Sequence, residues 1–337
     1  MRIKDCCSFN LGLFSQYRSE LMGIATLLII ICHAPIYGVQ MPQWLSIFLS
    51  NGGLGVDIFL FLSGMGMYNS WTSNKKKGNS LLFWLFKRYI RIIIPSILII
   101  IPIYFLGVNQ THKSVIELLI ELSGLGALFG KSPLWFISCI LLLYIITPLF
   151  SIILYGKRKM LWLILLSLTF FTIAYMPPHN NIWHFIINRW PSYLLGFALA
   201  PNIKEQKLGS SWNFIFIPLF FYILLYTSNH VFSTHFSLFW LQGISVMTVC
   251  VIVINKYKYL NVFLSFMGII SLESYITNEY VLRIFSRYSW QINDYNLNPG
   301  NWTFYIVGSI ICIAISYVVN LKSATKLFSV LLASKRP

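Results

Sequence analysis

Ten predominantly apolar stretches follow one another along the chain, near 20–39, 53–72, 84–107, 133–155, 159–176, 183–201, 212–229, 236–255, 260–285 and 302–321. A helix of roughly 17–25 such residues crosses a hydrocarbon core of about 30 Å. It also satisfies its own backbone there, which an isolated strand or loop cannot do. Of the 337 residues, 57% are hydrophobic and 10% charged, a balance that excludes an ordinary soluble fold. The expectation is an all-α, polytopic integral membrane bundle of about ten transmembrane helices. Residues 1–337 are read as a single membrane-embedded domain, with no soluble extra-membrane domain. The N-terminal segment lacks an apolar core and a small-residue cleavage site, so the first span is read as retained.

The net charge of +16 is distributed in short clusters between the apolar runs. That pattern is topology and not a nucleic-acid footprint. Arg2, Lys4 and Arg18 precede the first span, and Lys75, Lys76, Lys77, Lys87, Arg88 and Arg91 surround the second loop. Lys157, Arg158 and Lys159, then Lys204 and Lys207, Lys256 and Lys258, and Lys322, Lys326, Lys335 and Arg336 complete one side. Lys113, Lys131, Arg189, Arg283 and Arg287 are left for the other. The excess of Lys and Arg in cytoplasmic loops then puts both termini in the cytoplasm, in a multi-pass protein of the cell membrane. The six cysteines include no C-x-x-C pair and read as buried free thiols. His179 to His184 and His230 to His235 share a spacing that does not align two imidazoles on one helix face, and no metal site is expected.

Two ionisable residues stand where a membrane helix ordinarily carries none: His33 in the first span and Asp57 in the second. At membrane depth such groups cost about 2.5–3.5 kcal/mol on insertion scales, so function is their default reading. With the first helix ending near Val39 and the second starting near Gly53, both fall roughly 6–9 Å below the same membrane face. A carboxylate that accepts from one imidazole nitrogen leaves the other to act as a base. Each also has a structural use: His33 can bond a backbone carbonyl, and Asp57 can cap its helix or pair with Arg189 or Arg283. Glu117 and Glu121 lie at i and i+4 on a short segment read as interfacial or re-entrant, as a carboxylate pair or a solvated face. Trp135, Trp183, Trp190 and Trp240 suit either sugar stacking or an interfacial belt.

Five motifs in series, GIATLLIIICH at 23–33, GGLGVDIFLFLSG at 52–64, FKRYIRIIIP at 86–95, LWFISCILLLYIITP at 134–148 and ISLESYITN at 270–278, resemble the family 3 integral-membrane acyltransferases. That family includes many bacterial O-acetyltransferases of surface glycans. The resemblance implies transfer of an acyl group, usually acetyl, from cytosolic acyl-CoA to an acceptor at or beyond the outer membrane face. It places His33 at the position of the family's essential histidine. Two positions depart from the pattern. Met22 stands where the family usually has Arg, with Arg18 four residues earlier on the same helix face. Asn278 stands where a second His often occurs.

The expected function is therefore O-acetylation of a bacterial surface polysaccharide (capsule, exopolysaccharide or O-antigen) or its lipid-linked precursor, with acetyl-CoA as donor. His33 and Asp57 are the expected catalytic pair. Arg88, Arg91, Lys87 and Arg18 are the expected cations for the CoA phosphates, for which Arg offers a planar fork. The same cations also serve as membrane anchors. The expected partners are acyl-CoA, a glycan or lipid-linked saccharide acceptor and membrane lipid. The alternative from another class is a proton-coupled transporter or flippase in which His33 and Asp57 relay protons. A catalytically inactive binding member is a third.

Overall fold

A computed structural model describes residues 8–105, 114–154, 156–174, 182–221, 223–224, 239–282, 290–292, 295–297 and 300–322. A short strand, β1 (Ser8–Asn10), and a single helical turn lead into α1 (Arg18–Ile36). Pro35 sits in the last turn of α1, and Gly38, at φ 82°, turns the chain after it. The short α2 (Gln43–Ser50) passes through a 3₁₀ turn into α3 (Gly55–Lys76). α4 (Leu81–Phe105) follows. α5 (Val115–Leu122) is opened by a capping box, in which the Ser114 hydroxyl accepts from the Glu117 amide and the Glu117 carboxylate accepts from the Ser114 amide.

Beyond it run α6 (Trp135–Ile153), α7 (Lys159–Ala174), α8 (Ile182–Ile187) and α9 (Trp190–Lys204). β2 (Leu208–Ser210) pairs antiparallel with β1, Phe9 opposite Gly209. Then come α10 (Trp212–Phe221), α11 (Phe239–Lys256), α12 (Asn261–Ile269) and α13 (Ser271–Thr277). α13 widens into a π turn over Asn278–Leu282. A second hairpin, β3 (Trp290–Ile292) with β4 (Tyr295–Leu297), precedes α14 (Trp302–Lys322).

Among the described residues, six helical segments are long and apolar enough to cross a membrane: Arg18–Ile36, Gln43–Lys76, Leu81–Phe105, Trp135–Ile153, Phe239–Lys256 and Trp302–Leu321. Lys258–Ile269 and Ser271–Leu282, bent by 60°, add a seventh if they are one broken span. The count of about ten spans expected from the sequence is not reached among the described residues. α7 has 16 residues, short of a full crossing. The stretch 183–201 is broken at Asn188 and Arg189 into α8 and α9, and part of 212–229 lies outside the described residues.

The chain forms two compact units, each assembled from three separated stretches. The first is drawn from Met1–Leu28, Gly53–Asn79 and Leu142–Ile269. In it α3 packs along α9 at near backbone contact. A methyl group on Gly64 would strike the Tyr193 carbonyl, and one on Gly196 would strike the Phe61 carbonyl. Gly23 and Gly268 make the same reciprocal contact, against the backbones of Leu264 and Ser19. Small residues at such crossings are how membrane helices gain van der Waals contact without a hydrophobic drive. Tyr193 is fully buried, its hydroxyl 2.6 Å from Thr147 Oγ1 on α6.

The second unit is drawn from Ile29–Gly52, Ser80–Leu141 and Ile270–Pro337. Here α13 packs against α4 and α14. Thr277 Oγ1 lies 2.9 Å from Ser316 Oγ on α14, and the Tyr305 hydroxyl donates to the Ile30 carbonyl of α1. α5 is tied to α4 by the Tyr89 hydroxyl, which donates to the Ser123 carbonyl at 3.1 Å.

Candidate functional site

His33, in the last turn of α1, opens onto a cavity of about 610 Å³ in the second unit. Tyr37, Glu117, Lys131, Ser132, Trp135 and Glu279 share its wall. The carboxylate facing the imidazole is Glu279, with His33 Nε2 3.5 Å from Glu279 Oε1 and both side chains largely withdrawn from solvent, at 12% and 8% exposure. Glu279 is carried by the π turn after α13, where the wider turn changes the direction of successive side chains. The turn is fixed from two sides. Thr277 bonds α14 as above, and the Tyr37 hydroxyl donates to the Asn278 carbonyl at 3.0 Å. The rings of Tyr37 and His33 are 5.6 Å apart.

The opposite wall is the loop before α6. Gly130, at φ 67°, ends a 3₁₀ turn and sends Lys131 to Glu117, whose Oε1 it reaches at 2.6 Å. Ser132 Oγ accepts from the Leu134 amide at 3.2 Å, and the Tyr275 hydroxyl of α13 accepts from the Phe136 amide at 3.3 Å. These two bonds satisfy amides at the start of α6 that have no partner within the helix. Glu121 is buried at 2% exposure and accepts from the Tyr280 hydroxyl. Glu117 and Glu121, read from the sequence as either a carboxylate pair or a solvated face, part company: one holds Lys131 at the cavity edge, the other is buried against Tyr280.

Asp57, which the sequence paired with His33, is held instead by Arg189 and Ser192. In the first turn of α3, its Oδ2 accepts from Arg189 Nη1 and its Oδ1 accepts from Ser192 Oγ at 2.6 Å. Arg189 Nη1 also donates to the Gly53 carbonyl at 2.9 Å, and its guanidinium lies 4.5 Å from the Phe239 ring centre. The physical reason is charge: a carboxylate is buried at tolerable cost when a cation pairs with it, and Arg189 supplies that cation. Of the two arginines the sequence offered, Arg189 is the partner, and Arg283 lies outside the described residues.

Among the expected donor cations, Lys87 and Arg91 are exposed on α4 and Arg88 is half-buried. The Lys87 ammonium lies 4.2 Å from the Phe83 ring centre. Arg91 is near enough to act electrostatically on Glu273 of α13, whose Oε1 accepts from Asn320 Nδ2 at 3.0 Å. Six residues separate Glu273 from Glu279, about 9 Å along the helix axis. One element thus connects the Arg91 environment to the His33 cavity. Arg18, in the first unit, lies against Gly66 of α3.

Glu279 is the residue that reading by motif missed, because the family-like stretch stops at Asn278. Its signal is the one that marks His33, an ionisable side chain inside an apolar run. His184 is accounted for by its Nδ1, 2.8 Å from the Ala174 carbonyl, while His179, His230 and His235 lie outside the described residues. Among the described residues, no three His, Cys, Asp or Glu side chains gather where they could hold a metal ion.

Membrane-length apolar helices and an imidazole–carboxylate pair facing a polar cavity occur in the same chain. The chain matches the family model described as acyltransferase domain over residues 21–321, nearly its whole length, and it belongs to that family of membrane acyltransferases. Neither the curated proteins nor the solved structures yielded a match.

Proposed function

We propose that the protein acetylates hydroxyl groups of a bacterial surface polysaccharide or its lipid-linked precursor, with cytosolic acetyl-CoA as donor. The observation that carries the reading is the His33–Glu279 pair on the wall of a 610 Å³ cavity, in a chain of the acyltransferase family. The His33 imidazole, with the Glu279 carboxylate beside Nε2, takes the proton of the acceptor hydroxyl. The alkoxide oxygen attacks the thioester carbonyl, the new C–O bond forms, the C–S bond breaks, and the imidazolium returns its proton to the departing CoA sulfur. A route through an acetyl-imidazole uses the same residues in two steps.

Arg88, Arg91 and Lys87 of α4 are the candidate phosphate anchors for the CoA end. Charge asymmetry supports an inner-membrane orientation with both termini in the cytoplasm, which gives this basic end access to the cytosolic donor. Mass spectrometry of surface glycan from cells with and without the gene tests the proposal. Loss of O-acetyl mass on deletion, restored by wild type and not by His33→Ala, is expected. An unchanged acetylation pattern overturns it.

A further inference from the structure

We propose that Ser132 holds a second hydroxyl of the acceptor while His33 takes the proton of the first, and that Tyr280 and Glu121 are the positioning residues that turn Ser132 to this task. The inference rests on the transferase reading above and names further residues for it. Tyr280 follows Glu279 on the π turn and is buried at 4% exposure. Its hydroxyl donates to Glu121 Oε1 on α5 and lies 3.4 Å from Ser132 Oγ in the loop before α6. Ser132 shares the cavity wall with His33 and Glu279. One phenol thus joins the turn that carries Glu279 to both elements of the facing wall. Gly126 brings those two elements together. A methyl group on it would stand 2.9 Å from Glu121 Cα and 3.0 Å from Ser132 Cβ, so the close approach needs a residue with no side chain.

The buried carboxylate sets the direction of the chain of bonds. A phenol has one proton, and Tyr280 gives it to Glu121, so toward Ser132 the phenol oxygen accepts. Ser132 then donates its own proton to Tyr280, and its oxygen takes the Leu134 amide at 3.2 Å. A hydroxyl oxygen has two lone pairs, and the second remains to accept from a group in the cavity that Ser132 lines. What it takes there is a donor, as an O–H of a saccharide is and a carbonyl is not. The attacking hydroxyl gives its only proton to His33, so the group held by Ser132 is another hydroxyl of the same acceptor. Two such holds fix the orientation of a ring that one would leave free to turn, and orientation is rate. An acceptor that lacks the second hydroxyl leaves the serine oxygen unmatched and is disfavoured.

The test uses inside-out membrane vesicles from cells that lack the chromosomal gene and carry one variant each, so that the full chain meets its natural acceptor in its own bilayer. Labelled acetyl-CoA is supplied, label in glycan is counted, and each rate is divided by the amount of folded protein. Ser132→Ala and Tyr280→Phe are each expected to slow transfer about tenfold, the loss of one hydrogen bond, with KM for acetyl-CoA unchanged. Both act through the one serine hydroxyl, so the double variant is expected to lose about tenfold and not a hundredfold. Ser132→Thr keeps the hydroxyl and is expected to recover most of the rate. Glu121→Gln keeps an oxygen for the phenol and is expected to stay within about threefold of wild type, whereas Glu121→Leu falls as far as Tyr280→Phe. If Tyr280→Phe does not fold, Ser132→Ala and Ser132→Thr carry the decision. Transfer indifferent to Ser132→Ala, a multiplied loss in the double variant, or a raised KM for acetyl-CoA overturns the proposal and leaves the transferase reading standing. No label in glycan with wild type removes the transferase reading and this inference with it.

Discussion

His33 and Glu279 face each other at 3.5 Å across the cavity wall, one from the end of a long helix near the N-terminus and the other from a π turn near the C-terminus. The pair exists only in the folded chain, since each half is carried by an element that other contacts hold in place. The imidazole depends on Tyr37 and α1, and the carboxylate on Thr277, Ser316 and the Tyr37 bond to the Asn278 carbonyl. A base whose orientation is set by a partner loses rate, not substrate affinity, when that partner loses its charge.

Glu279→Gln is accordingly expected to lower kcat about 10²-fold while KM for acetyl-CoA changes little. The check is steady-state kinetics on purified protein, with Glu279→Asp recovering part of the loss. A raised KM at unchanged kcat would instead mark Glu279 as a substrate-binding group.

Arg88 and Arg91 are expected to act on the donor alone. A charge-assisted hydrogen bond contributes about 1.5–3 kcal/mol, so alanine at either position should raise KM for acetyl-CoA by about ten- to a hundredfold. Glu273→Gln removes an anion that acts on Arg91 and keeps an amide oxygen for Asn320, so it is expected to lower that KM. Kinetics at varied acetyl-CoA and fixed acceptor reads both.

Asp57 and Arg189 are expected to matter for stability. Arg189→Ala strands a carboxylate that is 1% exposed, a change of the kind that costs about 3–5 kcal/mol. The double variant Asp57→Leu with Arg189→Met removes both charges and should regain most of the loss. Thermal unfolding in detergent reads the series. Activity per folded molecule is expected to stay near wild type, which separates this pair from the one at His33.

The glycine contacts give two opposite signs on one helix-packing theme. Gly196→Ala pushes a methyl group into the Phe61 carbonyl and is expected to destabilise by about 1–3 kcal/mol. Gly66→Ala, whose methyl would meet the Arg18 guanidinium at an ordinary 3.5 Å, is expected to be neutral or to stabilise by up to about 1 kcal/mol. Comparing the two melting temperatures checks both.

Much of this site can be read from the sequence, and the limits are physical. His33 announces itself because an imidazole inside GIATLLIIICH has no cheap place in a membrane. Asp57 announces itself for the same reason, yet hydropathy gives depth and not direction. Depth alone could not tell a carboxylate that turns to an imidazole from one that turns to Arg189. The break between α8 and α9 hides in an apolar stretch because Arg189 is paid for by its ion pair and not by its neighbours in sequence. The bend at Ile269–Ser271 hides likewise, since an apolar count takes no notice of continuity. Glu117 and Glu121 show the same limit on a smaller scale: a spacing of four puts both on one side of α5, while the cavity edge and Tyr280 decide which is wet. The membrane character, the family motifs and the acyl-transfer chemistry they imply survive these corrections because they depend on composition and local pattern.

On the proposed function, His33 is the base of an acyl transfer. Purified protein in nanodiscs, given labelled acetyl-CoA and an oligosaccharide acceptor, tests it most directly when wild type is set beside His33→Gln. Label on the saccharide is expected with wild type, and at least a 10²-fold slower appearance with the variant. Equal rates of labelling in the two proteins would contradict it.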